Sequence, residues 1–439
     1  MRKSLVVAAL TVAATASIVV GVGQAQEPSP PRRTLLHCGT LLATPGSPPL
    51  PARTLVVTGG KVTAVLEGYA APEGTDEVVD LKQSFVLPGL IDCHVHLSSE
   101  YSADARLKRV EQSEADLAIQ AVAHARRTLL AGFTTVRDLG SRGDAVFALR
   151  DAVKAGLVPG PRVLAAGHMV TPTGGHGDGT HGYREDLFPV PDALQGVSDG
   201  VAGCRQAVRA QVKRGADVIK LSATGGVLSA TAAGTDQQFF PDELQAIVDT
   251  ARLLGRRVAA HAHGVNGIKA ALRAGVDSIE HGTFLDDEAV ALFKEKGAWY
   301  VPTLVAGAWV AEKAEVQGFF PPPVAEKARA VGPKIKDAVG RAWKGGVKIA
   351  FGTDSGVSSH GKNAREFALM VEAGIPAADA IAAATVKAAE LLGLSGTVGA
   401  LTPGLAADVI AVRRSPLEDV SELERVTFVM RDGVVHARP

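Results

Sequence analysis

Histidines that could bind a metal ion occur in this sequence as closely spaced pairs. His94 and His96 follow one short apolar run, and His261 and His263 follow another. In a β-strand alternate side chains share a face, so both imidazoles of each pair point to the same side. Two imidazoles at the end of a strand are well placed to ligate a divalent metal ion. A single pair of this kind could equally be two polar histidines in a loop.

Two further candidate ligands end apolar runs in the same way. His281 follows Glu280, and Asp354 follows Thr353. Neutral imidazole together with carboxylate suits Zn²⁺ or a similar divalent ion. The chain has 12 histidines in 439 residues, and chance would not place them so consistently at the ends of apolar runs. The set therefore predicts a metal site.

Lys220 lies inside the apolar stretch 218–222, where a charged side chain is unusual. Burying an unpaired ammonium group is costly, so such a lysine either extends to solvent or pairs with a carboxylate. A third possibility is that burial deprotonates the amine, which can then react with carbon dioxide. The product is a carbamate, an anion with two oxygens that can bridge two metal ions.

Eight short apolar runs, separated by helical segments, are the elements that must position these side chains. The runs end near His94, Arg137, Ala166, Leu221, Ala262, Glu280, Thr303 and Asp354. Strands that alternate with helices form parallel βαβ units. Eight such units predict an α/β protein with a (β/α)₈ TIM barrel, whose active site lies where the strands end.

The two ends of the chain have a different sequence pattern from the middle. Residues 26–87 and 395–439 read as short strands and turns, and neither segment has enough strand to bury a core alone. We expect them to form one small β-sandwich domain together. The barrel then occupies residues 88–394.

Residues 1–25 read as a secretory signal peptide. Two basic residues precede an apolar run, and small residues follow up to Ala25. A membrane anchor is the alternative, but the threonines and alanines of the run make it only weakly hydrophobic. We therefore expect cleavage near Ala25, a periplasmic or secreted location and no stable membrane anchor.

Composition excludes two broad classes of function. Hydrophobic residues make up 46% of the chain, which rules out intrinsic disorder. The 46 basic residues balance the 46 acidic ones, and no basic stripe stands out, so a nucleic-acid partner is not expected. Three cysteines are a poor disulfide framework for an exported protein of this size, and we expect them to be structural.

The order of these motifs resembles the metal-dependent amidohydrolase superfamily, from about residue 54 to the end of the chain. Within that superfamily, segments such as 132–138, 173–177 and 223–227 are similar to the imidazolonepropionase-like branch, which contains Xaa-Pro dipeptidases and zinc carboxypeptidases. The chain also resembles bacterial amidohydrolases that cleave the amide of ochratoxin A. The main matching motifs are 87–96, Lys220, His261, His281, 352–354 and 399–409.

The resemblance implies two divalent metal ions, expected to be Zn²⁺, held by six residues. These are His94, His96 and Asp354 for one ion, His261 and His281 for the other, and Lys220, carboxylated by CO₂, between them. His263 shares a face with His261, so the family pattern and not the spacing selects His261. In the implied mechanism a hydroxide between the metals attacks the scissile carbonyl, and Asp354 acts as general base and then as general acid.

Substrate contacts are predicted for five residues near these ligands. They are His176, Gly226, Val227, Leu228 and His263. His176 could instead stabilise its own glycine-rich loop.

The sequence thus predicts a secreted amidohydrolase, and a homo-oligomer by resemblance, that cleaves the amide bond to a C-terminal amino acid. Its small-molecule substrate would be a dipeptide, an N-acyl amino acid or an ochratoxin-type amide. Two alternatives stay open: hydrolysis of a cyclic amide, as in imidazolonepropionase, and a non-catalytic periplasmic binding protein on the same barrel.

Overall fold

Fifteen strands form the two sheet systems of the chain, which a computed structural model describes over residues 33–189, 191–229 and 234–438. The strands are β1 Arg33–Leu41, β2 Leu50–Thr58, β3 Lys61–Glu67, β4 Glu77–Pro88, β5 Leu90–Val95, β6 Phe133–Asp138, β7 Arg162–Ala165, β8 Val218–Ser222, β9 Arg257–Ala262, β10 Ser278–His281, β11 Trp299–Val301, β12 Lys348–Ile349, β13 Val409–Val412, β14 Phe428–Arg431 and β15 Val434–Ala437. The predicted signal peptide, residues 1–25, lies outside the described residues.

Helices separate the strands of the middle part of the chain. They are α1 Ala105–Glu111, α2 Glu114–Leu130, α3 Ala145–Lys154, α4 Gly200–Arg214, α5 Pro241–Leu253, α6 Val265–Ala274, α7 Asp287–Lys296, α8 Leu304–Ala314, α9 Pro322–Lys344, α10 Arg365–Glu372, α11 Ala377–Ala383 and α12 Val386–Leu392. Within the described part of the chain, no helix is both long and apolar enough to span a bilayer.

Strands β5 to β12 run parallel and form a closed barrel. Regular pairing joins β5 to β7 and β8 to β12. Parallel bridges connect the two groups, between Val170 and Leu221 on one side and between Val95 and Ser355 on the other. The (β/α)₈ barrel predicted from the sequence is therefore confirmed.

The observed strand ends lie within two residues of the predicted ends in seven of the eight strands. The exception is β12, which ends at Ile349 rather than near Asp354. Beyond Ile349 the chain still accepts single hydrogen bonds from both neighbours, from Cys93 N to Phe351 O and from Thr303 N to Gly352 O. The chain therefore stays in the barrel wall but leaves the regular ladder, and it turns toward the barrel end.

The two ends of the chain share one seven-stranded mixed sheet. Its strand order is β15-β14-β13-β4-β1-β2-β3, in which β1 and β4 are parallel and the other pairs antiparallel. A separate apolar cluster lies along this sheet, with Leu36, Leu55, Val409 and Phe428 among its buried members. The expectation that both chain ends build one small β structure is met, whereas the domain boundaries at 87 and 394 stay predictions.

An ion-pair network joins this sheet to the barrel. Arg162 on β7 donates hydrogen bonds to Asp408 at 2.8 Å and to Asp432 at 2.5 Å. Asp408 is only 3% exposed, and Arg162 lies beside its carboxylate as an ion-pair partner. The network ties the C-terminal strands to the barrel wall.

Helices α8 and α9 form a cap between β11 and β12. The two helices pack against each other, and an aromatic group of Tyr101, Trp309, Phe319 and Phe320 packs beside them. The N-terminus of α8 is held by Glu366, whose carboxylate accepts hydrogen bonds from the first two backbone N–H groups of the helix at 2.8 and 2.7 Å. This places the cap over the carboxyl ends of the strands.

Candidate metal centre and substrate cavity

All six predicted metal ligands line one cavity at the carboxyl end of the barrel. They are His94, His96, Lys220, His261, His281 and Asp354. The six residues come from five strands or from the loops directly after them, with His94 and His96 both at the end of β5, because parallel strands bring their carboxyl ends to the same rim. The structure therefore brings together residues that lie up to 260 positions apart in the sequence.

The first candidate ligand group consists of His94, His96 and Asp354. Their ligand atoms lie within 4.8 Å of one another. Asp354 Oδ1 is 3.1 Å from Nε2 of His96 and 3.5 Å from Nε2 of His94. One carboxylate oxygen and two imidazole nitrogens converge on one point, as a divalent ion requires.

The second candidate group consists of His261, His263 and His281. Their ligand atoms also lie within 4.8 Å of one another. His263 and His281 stack with ring centroids 4.9 Å apart, and His261 meets His281 edge-on at 4.6 Å. Both members of the His261 and His263 pair face the cavity, as their spacing predicts.

A buried carboxylate orients His94. Glu280 on β10 lies 2.9 Å from His94 Nδ1 and accepts a hydrogen bond from Arg137 at 2.9 Å and from Ser278 at 2.6 Å. Glu280 is fully buried, which by itself raises its pKa, but the Arg137 charge together with His94 and Lys220 outweighs burial and lowers the pKa of Glu280 to about 2. A carboxylate on Nδ1 fixes the ring so that Nε2 faces the cavity, and it raises the basicity of the imidazole.

The other imidazoles are held in a similar way by neutral oxygens. Nδ1 of His96 lies 2.9 Å from Gly140 O, Nδ1 of His263 lies 2.8 Å from Thr283 Oγ1, and Nδ1 of His281 lies 2.7 Å from Thr303 Oγ1. His261 differs, because its Nε2 lies 3.3 Å from Gly225 O. Each ring therefore has one nitrogen engaged by the protein and the other directed to the cavity.

The Asp92 carboxylate positions the strand that carries His94 relative to the loop that carries Asp354. It accepts hydrogen bonds from His94 N at 3.0 Å, from Thr353 Oγ1 at 2.6 Å and from Asn363 Nδ2 at 2.8 Å. Burial raises the pKa of Asp92 to about 6 in spite of these donors. This network fixes the separation of the two elements that provide the first ligand group.

Three residues that line the cavity have a left-handed backbone. The φ angles are 72° at His281, 55° at Thr303 and 57° at Asp354. Non-glycine residues adopt this conformation at a cost of about 1–3 kcal/mol and retain it only where the surroundings over-determine it. Such strain concentrates at functional sites, and here it aims His281 and Asp354 into the cavity.

Lys220 has the environment that its apolar strand predicts. It is 1% exposed, and its Nζ has no hydrogen-bond partner among the described residues. Burial lowers the pKa of Lys220 to about 8, well below that of a solvated lysine. An orphaned amine beside two ligand groups fits a residue that is completed by another group, such as a carbamate between metal ions.

Four of the five candidate imidazole ligands have a lowered pKa, which favours the neutral form that metal ligation requires. At His96 burial is outweighed by the hydrogen bond and charge of Asp354 and by other nearby groups, so the pKa of His96 is raised. Burial lowers the pKa of His94 and His263 to about 4, and it lowers the pKa of His261 and His281 well below the ordinary value. The donor set and its convergence therefore fit divalent metal ions.

The predicted substrate residues lie beside the metal ligands. His176, Val227, Leu228 and His263 line the cavity, and the ring of His176 stacks on His261 with centroids 4.1 Å apart. A Cβ atom added at Gly226 would lie 2.2 Å from the His176 ring, so only glycine allows this approach. His176 Nδ1 also lies 2.9 Å from Ser229 Oγ, which agrees with the alternative role of holding its loop.

His360 and Arg365 follow β12, but neither lines the cavity. His360 is buried outside the cavity and stacks on His124 with centroids 4.5 Å apart. Arg365 is exposed at the start of α10.

Sequence reasoning missed the apolar wall of the cavity and the group that orients His94. Val310 of α8 with Val331 and Ile335 of α9 form much of the wall. Nothing in their local pattern separates a helix that covers a site from one that covers the barrel side. Glu280 and Arg137 did carry a signal, since two opposite charges in apolar strands must pair when buried.

Comparison with known proteins gives a consistent result. A model of the amidohydrolase family matches residues 85–436. Ochratoxinase from Aspergillus niger is 34% identical over 436 residues, covering 92% of this chain and 87% of that protein. The crystal structure of A. niger ochratoxinase has a TM-score of 0.81 at 30% identity and covers 93% of this chain and 96% of that one.

Two solved peptidase structures are similar over the same region. A Xaa-Pro dipeptidase with methionine bound in its active site has a TM-score of 0.89 at 44% identity, covering 92% of this chain and 100% of that one. A prolidase complexed with N-methylphosphonate-L-proline has a TM-score of 0.84 at 33% identity, covering 93% and 100%.

We predict that Glu280→Gln weakens metal binding, because the neutral amide no longer provides a charged acceptor for His94. The affinity for Zn²⁺, measured by competition with a chromophoric chelator, should fall about 10- to 100-fold. Glu390→Gln, an exposed change on α12, is the matched control and should bind as the unchanged chain does. An unaltered affinity in a folded Glu280→Gln variant would contradict the orienting role.

Proposed function

The chain belongs to the amidohydrolase family and is a hydrolase of carbon–nitrogen bonds, and on this basis we propose that it cleaves the amide bond between an acyl group and a C-terminal amino acid. We propose further that it is exported after cleavage near Ala25 and that it uses two zinc ions. The observation that carries the proposal is the convergence of six ligand side chains in one cavity with an apolar wall.

The nature of the substrate is supported by what similar proteins bind. One similar structure is a dipeptidase with methionine in its active site, and another is a prolidase with an N-phosphonate of L-proline. A third similar protein is an ochratoxinase. The two bound molecules, methionine and the N-phosphonate of L-proline, each contain an amino acid. This supports an amino acid as the amine part of the substrate.

Two metal ions are supported by the division of the ligands into two groups, one with His94, His96 and Asp354 and one around His261 and His281. Carboxylated Lys220 would lie between them. The modification would explain why the Lys220 amine is buried without a hydrogen-bond partner among the described residues. Imidazole and carboxylate donors suit Zn²⁺. Bound divalent ions would supply the Lewis acidity that polarises a carbonyl and lowers the pKa of water.

The chain's own residues would provide the proton transfers. Asp354 belongs to the first ligand group and is 8% exposed, so its carboxylate can contact both a substrate and a water molecule. We assign it the removal of a proton from the attacking water and the return of a proton to the leaving amine. An amine is a poor leaving group, so its departure depends on that proton.

The remaining cavity residues would bind the substrate. His176 and His263 lie next to the ligands and can donate hydrogen bonds to the scissile amide. Val227 and Leu228, together with the cap helices, offer an apolar surface to the acyl group or to an apolar amino-acid side chain.

We predict that the metal-loaded chain hydrolyses N-acyl amino acids or dipeptides in preference to cyclic amides. The test is a substrate panel of Xaa-Pro and other dipeptides, N-acyl amino acids, ochratoxin A and cyclic ureides, followed by product release. Activity confined to the cyclic substrates would replace the proposal by the imidazolonepropionase-type alternative. No turnover of any amide, with metals bound, would favour a binding protein.

Metal uptake should depend on carbon dioxide. We expect the apo chain, loaded with Zn²⁺ in CO₂-depleted buffer, to take up about half as much metal as with bicarbonate, since the bridging ligand is missing. Lys220→Met should show no response to bicarbonate, whereas Lys334→Met, on the exposed side of α9, should respond as the unchanged chain does. Equal metal content with and without bicarbonate would rule out carboxylation.

Replacement of the proposed proton carrier should slow turnover more than it weakens binding. For Asp354→Asn we expect kcat to fall about 10²- to 10⁴-fold while KM changes by less than about threefold. Metal content must be measured alongside, because Asp354 is also a proposed ligand. Asp379→Asn on α11 is the control and should keep the turnover of the unchanged chain. Near-native kcat in a metal-loaded Asp354→Asn variant would contradict the role of Asp354 as proton carrier.

A further inference from the structure

Lys327 on cap helix α9 reaches the loop that follows β8, beside the cavity. Val331 and Ile335 lie four and eight residues later on the same helix, and both line the cavity. Residues at this spacing share one helix face. Lys327 therefore lies on the same face of α9 as these two lining residues, at the end nearest the loop that follows β8.

Two backbone carbonyls of that loop hold the ammonium group of Lys327. Its Nζ donates a hydrogen bond to Gly226 O at 2.7 Å and another to Ser229 O. Gly226 packs directly under His176, whose ring stacks on His261. The ammonium is thus one residue away from the imidazoles around the metal centre.

The charge of Lys327 is not neutralised within the described part of the chain. Neither of the two acceptors is charged, and among the described residues no carboxylate forms an ion pair with Lys327. An ammonium group has three N–H donors, and the two carbonyls use two of them. The side chain is only half-buried, so the third donor can meet a ligand.

We propose that Lys327 binds the carboxylate of the amino-acid part of the substrate, an inference that rests on the proposed function. The carbonyls hold the ammonium in place before the substrate arrives, and the carboxylate takes the third donor. The scissile amide would then lie between Lys327 and the ligand groups. Apolar side chains of the substrate would contact Val331 and Ile335, one turn and two turns along the same helix.

The test compares a free acid with its neutral amide. N-benzoyl-L-phenylalanine and N-benzoyl-L-phenylalaninamide differ only at the carboxylate that Lys327 would bind. We expect the metal-loaded chain to prefer the acid by about tenfold or more in kcat/KM, the typical effect of one charge-assisted hydrogen bond. Lys327→Met should abolish this preference through a higher KM for the acid, with kcat and the amide little changed. Lys327→Arg should restore most of it.

A purely structural role gives a different result. If Lys327 only ties the cap to the β8 loop, Lys327→Met lowers turnover of acid and amide equally, and the inference is wrong. Lys334→Met, an exposed lysine of the same helix, is the matched control and should retain the preference. The melting temperature and metal content of each variant report on folding.

Binding measurements separate this inference from the proposed function. Calorimetry with N-benzoyl-L-phenylalanine should show about tenfold weaker binding to Lys327→Met than to the unchanged chain, whether or not the compound is hydrolysed. Binding without hydrolysis of any panel amide would overturn the proposed function and leave Lys327 as a carboxylate-binding residue. Equal affinity in both proteins, or no binding to the unchanged chain, would overturn the role of Lys327.

Discussion

The burial of eight ionisable side chains in one cavity is the constraint on which the rest of the structure depends. Six of them are imidazoles; burial lowers the pKa of five of these rings, and an oxygen of the protein engages one nitrogen of each of the six. The partners differ, being Glu280 for His94, backbone carbonyls for His96 and His261, and hydroxyl groups for the rest. The inner nitrogens are then left for a cation. Without one, an arrangement of this kind would be a liability to folding.

The same constraint explains where the backbone is strained. His281, Thr303 and Asp354 have positive φ angles at the ends of three strands, where an extended continuation would carry the side chains past the cavity. Each is held by hydrogen bonds to neighbouring strands, for example from Asp354 N to His94 O at 2.7 Å. The stability lost at these positions is offset by the barrel, whose large apolar core surrounds them.

Much of the barrel and the position of the metal centre could be predicted from local patterns in the sequence. Those patterns did not distinguish His261 from His263, and only the resemblance to a family selected the six candidate ligands. An apolar run that ends in His-x-His or in Asp354 indicates where a strand ends and also that a polar side chain lies at that end. The extent of β12 could not be predicted so well, since the chain leaves the ladder while its residues stay apolar and buried. The pairing of His94 with Glu280 and of Lys327 with Gly226 O could not be predicted from local pattern. These contacts join residues 186 and 101 positions apart, and only the closed barrel and its cap bring them together.

The cavity consists of two parts, one built by the strand ends and one built by the cap helices. Its floor consists of strand ends, whose positions are set by barrel closure and by buried networks such as that of Asp92, so it can change little without loss of the barrel. Its opposite wall consists of α8 and α9, an excursion between β11 and β12 that contacts the floor mainly through apolar side chains and through Lys327. Substitutions on that wall leave the ligand set untouched, so they can change which substrate is held without changing the chemistry done to it. The cap is therefore the part of this chain in which its specificity is to be sought.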